Sequence, residues 1–279
     1  MAAPLTAPSL VQWGPYRPLV RFASGGMAEV WAAAKTGADG FEKIVAVKRM
    51  LPNLEDERFE TMFHDEAQLA AHVRSPHVVS TIDLGRADDG SLYIAMELVN
   101  GVSLAHLLRQ MGRAGVHIPA AVAVEILAQA CQGLADAHEA RMPDGTALDI
   151  VHRDVSPQNL LIDRSGVLRV TDFGVARAVE RLSKTETGDM RGKVGYFSPE
   201  QSQGKGIDLR TDIFALGIVA HEMITQKRLF RDENAWLTVQ NVLTGDIPSL
   251  AGVHDVSAEL DAVILRALAR DKEKRWQSA

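Results

Sequence analysis

The chain has 279 residues, 46% hydrophobic and 24% charged, with a formal net charge of -6. Such a chain folds as one large or two-lobed globular domain with a real core, and its acidic excess argues against a nucleic-acid partner held through phosphate contacts. The single cysteine, Cys131, excludes an internal disulfide and suits the reducing cytoplasm, and no apolar run is long enough to span a bilayer.

Met1 to Pro15 carries Pro, Ala and Ser without periodicity and reads as a flexible leader over 1–15, with one domain over 16–279. Tyr16 to Lys35 reads as strand, turn, strand, the turn being Ala23-Ser24-Gly25-Gly26-Met27-Ala28 and the second strand Glu29 to Ala34. Paired glycines let backbone amides approach a ligand closely, as a phosphate-covering loop requires, although a plain hairpin uses them too. Ile44 to Lys48 is a strand by β-branched content, and alternation puts Ile44, Ala46 and Lys48 on one face. An ammonium among apolar neighbours either reaches water or has an anionic partner. The helical stretch from Glu57 to Val73 offers Glu66 on the stripe of Phe59, Met62, Phe63, Leu69, Ala70 and Val73.

Val78 to Arg86 and Leu92 to Leu98 form a hairpin through Asp88-Asp89-Gly90. Helical patterning starts at Leu104, and Ala120 to Arg141 is a long helix without internal proline. His138 and His152 have no companion ligand at metal spacing, so both are expected in the core. After the turn Met142-Pro143-Asp144-Gly145 comes Val151 to Ile162, VHRDVSPQNLLI, and then TDFG at Thr171 to Gly174. An Asp, an Asn further along the loop and a second Asp past an apolar run gather oxygen-bearing side chains around one small volume. Hard divalent cations that keep ligand positions for substrate phosphates are held in this way.

HRD-x-x-x-x-N followed by DFG, with the lysine strand and the glutamate helix upstream in order, resembles the bacterial eukaryotic-like (Hanks-type) serine/threonine protein kinase domain. The resemblance covers Tyr16 to Ala279. It implies an α+β, two-lobed fold: a small antiparallel β lobe with one helix (about 16–99), a hinge (about 97–101) and a larger, mainly helical lobe (about 102–279). It implies transfer of the γ-phosphate of Mg-ATP, or Mn-ATP, to protein Ser or Thr hydroxyls. Asp154 would accept the hydroxyl proton, Asn159 and Asp172 would bind the metal, and Lys48, paired with Glu66, would grip the α- and β-phosphates. Ala23, Ser24, Gly25, Gly26 and Val30 would cover the nucleotide, with Ala46, Met96 and the backbones of Glu97 and Val99 around the base. Thr185 and Thr187, then Ser183, would take phosphate on an activation segment clamped by Arg153 and Arg177, with a second copy of the chain as partner for autophosphorylation in trans. Asp212 would brace the catalytic loop, and Glu200 would pair with Arg275. The last helix is expected to continue past Arg275, as in a domain of a longer protein that could be tethered to a membrane.

Three departures stand out. Ala23 and Ala28 replace the outer glycines of the family loop G-x-G-x-x-G-x-V. The lysine two residues after the family's catalytic Asp is Ser156, and the threonine of G-T-x-x-Y is Lys193. Lysine and hydroxyl have exchanged partnered positions, so Lys193 is expected to bring its ammonium to the γ-phosphate from the opposite wall while Ser156 supplies the hydroxyl. The competing view of Lys193 is a solvated charge in a mobile loop, with a site that works less well; the competing function, ranked second, is a pseudokinase-like nucleotide-binding scaffold. A small-molecule phosphotransferase ranks third, since it would lack the HRD arginine and a peptide-docking segment.

Overall fold

The computed structural model describes residues 12–25, 27–51, 57–173 and 193–279. They fall into two compact units, Met1–Ala71 with Ser80–Val99 and His72–Val79 with Asn100–Ala279.

The first unit is an antiparallel sheet of β1 (Tyr16–Ser24), β2 (Ala28–Thr36), β3 (Glu42–Met50), β4 (Thr81–Arg86) and β5 (Leu92–Glu97), in the order β1-β2-β3-β5-β4. Among the described residues its α-helix is α1 (Glu57–His72). The central strand β3 is buried on both faces from Val45 to Lys48, hence its nearly unbroken apolar run. Val45 and Val47 join Trp13, Tyr16, Tyr93 and Ala95 in one core cluster, and Met50 joins Phe63 and Ala67 of α1 with Leu92 and Ile94 in another. Trp13, in the stretch expected as a leader, is only 2% exposed and stacks edge-on against Trp31 at 5.6 Å. The ordered core therefore begins before the first strand.

The second unit has a small antiparallel sheet of β6 (Gly101–Ser103), β7 (Leu160–Asp163) and β8 (Leu168–Val170). Its helices are α2 (Leu104–Ala114), α3 (Ala120–His138), α4 (Pro199–Gln203), α5 (Arg210–Thr225), α6 (Ala235–Thr244) and α7 (Ala258–Ala267). Thr211 to Ile224 of α5 are all buried, the pattern of a helix at the centre of a lobe. The segment His72–Val79 belongs here because Val79 N–H donates to Val170 O and Val170 N–H to His77 O. Gly133 makes room for it, since a Cβ there would lie 2.5 Å from His77 O.

Helix α3 stops at His138, short of the expected Arg141, because Arg141 turns into a bridge with Ala147 across the Met142 to Thr146 turn. The tail also differs from expectation. In place of a continuing helix it makes a short 3-10 turn at Lys272–Lys274 and leaves Arg275 extended, with ψ 174°. Among the described residues no helix is long and apolar enough to cross a membrane.

Candidate active site

In the first unit the sheet register gathers the nucleotide-facing candidates. Lys48 lies opposite Val30 on β2 and Ile94 on β5, and Ala46 lies opposite Met96. Period two along β3 then puts Val30, Ala46, Lys48 and Met96 on one face. Lys48 Nζ sits 2.6 Å from Glu66 Oε1 of α1, with side chains 11% and 13% exposed, so each charge offsets the other's desolvation. The ammonium also lies 5.9 Å from the Phe63 ring centroid.

The β1–β2 connection is a tight hairpin. Ala23 and Ser24 pair with Val30 and Glu29, and Gly25 N–H donates to Ala28 O at 2.8 Å. Gly26 lies outside the described residues. Glu97 N–H donates to Ser80 O at 3.0 Å, which confines a base contact at Glu97 to its carbonyl. Val99 follows β5 in irregular, half-buried chain.

In the second unit the catalytic-loop residues lie between α3 and β7. Asp212, fully buried in α5, accepts the backbone N–H groups of His152 and Arg153, each at 2.7 Å, and meets His138 Nε2 at 2.9 Å. Arg153 has φ 63°, left-handed for a bulky residue, and the Asp212 contact holds that strained bend. His152 accepts at Nδ1 from Asp154 N–H (3.2 Å), so its Nε2 carries the proton given to Thr171 O (3.0 Å). Both histidines expected in the core are there, and both hold this loop.

Asp154 is 6% exposed, and its Oδ2 accepts from Asn159 Nδ2 at 3.1 Å and from Lys193 Nζ at 2.8 Å. Asn159 Nδ2 also donates to Asp154 O at 2.8 Å. Both of these bonds use the amide nitrogen and leave the carbonyl oxygen Oδ1 out of them. Asp172 follows at φ 58°, with Phe173 buried and its ring 4.7 Å from that of His152. One amide oxygen and one carboxylate are a donor set that fits a hard divalent cation sharing its remaining positions with phosphate oxygens and water.

Lys193 therefore reaches Asp154, whereas the expected hydroxyl contact is missing: Ser156 is 1% exposed and its Oγ has no hydrogen-bond partner among the described residues. Gly174, Arg177, Ser183, Thr185 and Thr187 lie outside the described residues. Glu200 and Arg275 meet as expected in a bidentate pair of 2.6 and 2.8 Å, joined by Thr211 Oγ1 at 2.9 Å. Burial opposes ionisation of Glu200, but the Arg275 hydrogen bonds and charge, with a backbone N–H and the Thr211 hydroxyl, together outweigh it and hold the carboxyl below its usual range.

Two supports are not visible in the sequence pattern. Gln201 Nε2 donates to Arg153 O at 2.9 Å while its backbone closes a capping box with Ser198. The Ser-x-x-Gln spacing could have flagged the cap, but not the long-range bond. Tyr196 donates to Glu222 Oε2 at 2.6 Å, Leu229 N–H donates to Oε1 at 3.1 Å, and Arg228 lies 3.3 Å from Oε2. A glutamate inside the apolar run of α5 was the available signal.

A sequence profile of the protein kinase domain matches residues 17–279. The chain is 42% identical over 98% of its length to the tyrosine-protein kinase MasK of Myxococcus xanthus, and 37% identical over 91% to the serine/threonine-protein kinase PknB of Mycobacterium leprae. It spans only 42% and 40% of those two proteins. Among solved structures, the kinase domain of Mycobacterium tuberculosis PknI superposes with a TM-score of 0.71 at 26% identity, covering 98% of this chain and 94% of that one. The profile match over nearly the whole chain, the identity to PknB and the shared two-lobed α+β architecture carry one conclusion: the chain belongs to the protein kinase domain family, on its bacterial Hanks-type branch.

Proposed function

We propose that the chain is a catalytic domain that transfers the terminal phosphoryl group of ATP to Ser or Thr hydroxyls of proteins. The observation that carries this reading is the buried Asp154 carboxylate, whose preceding backbone at His152 and Arg153 is held by Asp212 and whose Oδ2 is held by Asn159 and Lys193. A carboxylate held this way can orient an acceptor hydroxyl and take its proton as the oxygen bonds to the terminal phosphorus and the bond to the ADP oxygen breaks. Lys48, steadied by Glu66, supplies a positive charge for the nucleotide phosphates.

Asn159 and Asp172 are the residues to hold a divalent cation, magnesium by the hardness of their oxygens. Bound there, it neutralises phosphate charge. Pro157 and the YFSPEQ segment favour Ser/Thr acceptors, and a cytoplasmic setting follows from the need for ATP. The name of the 42%-identical MasK supports a second reading, a tyrosine acceptor. Phosphate at Thr185, Thr187 or Ser183 through a second copy of the chain belongs to the same proposal.

The test is transfer from labelled Mg-ATP into Ser, Thr and Tyr peptides and into the chain itself, beside Asp154→Asn. Transfer to Ser/Thr that the variant lacks is the expected result. Transfer to Tyr alone replaces the acceptor assignment. No transfer from a folded chain that still binds Mg-ATP overturns the proposal in favour of a nucleotide-binding scaffold, for which Ala23, Ala28 and Ser156 speak.

A further inference from the structure

Lys193 is not held by the loop that carries Asp154. It stands at the N-terminal cap of the 3-10 turn Val194–Tyr196, and that turn is fastened to the helical body of the second unit. Tyr196 is 4% exposed and gives its hydroxyl proton to Glu222 of α5. Arg228 bonds both the Tyr196 hydroxyl and Glu222, and its guanidinium lies 5.0 Å from the Tyr196 ring centroid. Gly195 faces Thr238 of α6, where an added Cβ would meet Cγ2 at 3.7 Å. From this anchored turn the Lys193 side chain, 28% exposed, lays its ammonium 2.8 Å from an Asp154 side chain that is 4% exposed. One side chain of the contact is buried and the other is partly exposed among the described residues.

Resting on the phosphotransferase reading above, we infer that Lys193 is a catalytic residue that contacts the phosphoryl group in transfer, and that Tyr196, Glu222 and Arg228 position it. The reach follows from chemistry. A hydroxyl held by Asp154 sits roughly 2.7 Å from the carboxylate, and the phosphorus it attacks lies about 3–3.5 Å beyond. An ammonium already bonded to the same carboxylate can then turn one of its three N–H donors to an oxygen of that phosphoryl group. In the step itself the new P–O bond forms to the acceptor, the bond to the ADP oxygen breaks with its electron pair leaving on ADP, and the hydroxyl proton passes to Asp154. The charge from Lys193 stabilises the equatorial oxygens throughout. Ser156 cannot take over this role, because its short side chain is buried and its hydroxyl meets no partner among the described residues.

The experiment compares wild type, Lys193→Met and Lys193→Arg, with melting temperature as the check on folding. It records kcat for a Ser/Thr peptide and, by calorimetry, the affinities for Mg-ATP and Mg-ADP. Lys193→Met is expected to lower kcat by roughly 10²- to 10³-fold, the scale of losing one preorganised charge stabiliser. It should weaken Mg-ATP by about tenfold, as for one charge-assisted hydrogen bond, and leave Mg-ADP unchanged, with Lys193→Arg intermediate in both. A folded Lys193→Met chain with kcat within about threefold of wild type overturns the inference. So does a fall in kcat with an unchanged ATP-to-ADP affinity ratio, because Lys193 then acts only through Asp154. A wild-type chain that transfers nothing counts instead against the phosphotransferase reading, and its ATP-to-ADP ratio still reports whether Lys193 meets the terminal phosphate.

Discussion

Lys48 and Glu66 carry more consequence per atom than any exposed pair of the first unit. Their 2.6 Å contact lies between side chains only 11% and 13% exposed, so removing one leaves the other charge desolvated. Glu66→Gln keeps the size and a hydrogen-bonding oxygen but removes the charge that lies 2.6 Å from the Lys48 ammonium, which is then held less firmly. A displaced Lys48 could not serve as the proposed phosphate grip. Glu66→Gln is therefore expected to lower kcat/KM for ATP by roughly 10²-fold while a melt shows the fold intact. An unchanged kcat/KM would show that Lys48 does not depend on Glu66. This pair was legible in the sequence because two costs pointed at each other, a lysine on an apolar strand face and a glutamate on an apolar helix stripe. The family resemblance makes Arg153 a phosphate clamp, and nothing in its identity announces that its φ of 63° is held by a carboxylate 59 residues away.

Among the elements, α5 shows how a helix can be readable while its chemistry is hidden. Its apolar run predicts burial, and burial from Thr211 to Ile224 is found, but which polar residues inside it find partners depends on chains that fold over it later. Glu222 is the case in point. Burial pushes its carboxyl from 4.5 up to about 8, with the Leu229 N–H opposing, and Arg228 at 3.3 Å also favours the ionised form. A carboxyl raised in the folded state contributes stability that is complete below its unfolded value and is lost as pH climbs through the folded one. Relative to Glu222→Gln, which has no proton to lose, the wild-type chain should therefore become less stable as pH rises from 5 to 8.5. A tenfold change in proton affinity is worth about 1.4 kcal/mol, so with Arg228 offsetting part of the effect the loss should be ~1–3 kcal/mol. Denaturant unfolding of both chains at pH 5, 7 and 8.5 measures it, and a gap that does not vary with pH would mean that Arg228 keeps Glu222 ionised throughout. Element ends were harder to read than element types. Helix α3 ends at His138 because a turn bridging Arg141 to Ala147 competes with the helix, and no local propensity weighs those two outcomes.

At the scale of the whole molecule, ordered motifs gave the two-lobed architecture, since each piece alone is common and the sequence of pieces is not. What they could not give was the further scaffolding between pieces: the Glu200 pairing of Arg275 was expected, but not its bonds to the carbonyls of Arg210, Ala269 and Arg270. The same architecture makes ligand binding measurable as stability. A ligand that binds only the folded chain adds RT ln(1 + [L]/Kd), about 2.7 kcal/mol at a hundredfold excess over Kd. For a chain of this length that corresponds to a rise of roughly 5–10 °C in melting temperature. If Asn159 and Asp172 are the residues that would hold the divalent cation accompanying the nucleotide, the rise with Mg-ATP should collapse on chelation by EDTA and in Asp172→Asn. It should survive in Asp154→Asn, because the proposed role of that carboxylate is toward the acceptor hydroxyl rather than the metal. Equal stabilisation by ATP with and without the cation would remove Asn159 and Asp172 from the metal site while leaving Lys48 and Glu66 as the phosphate grip.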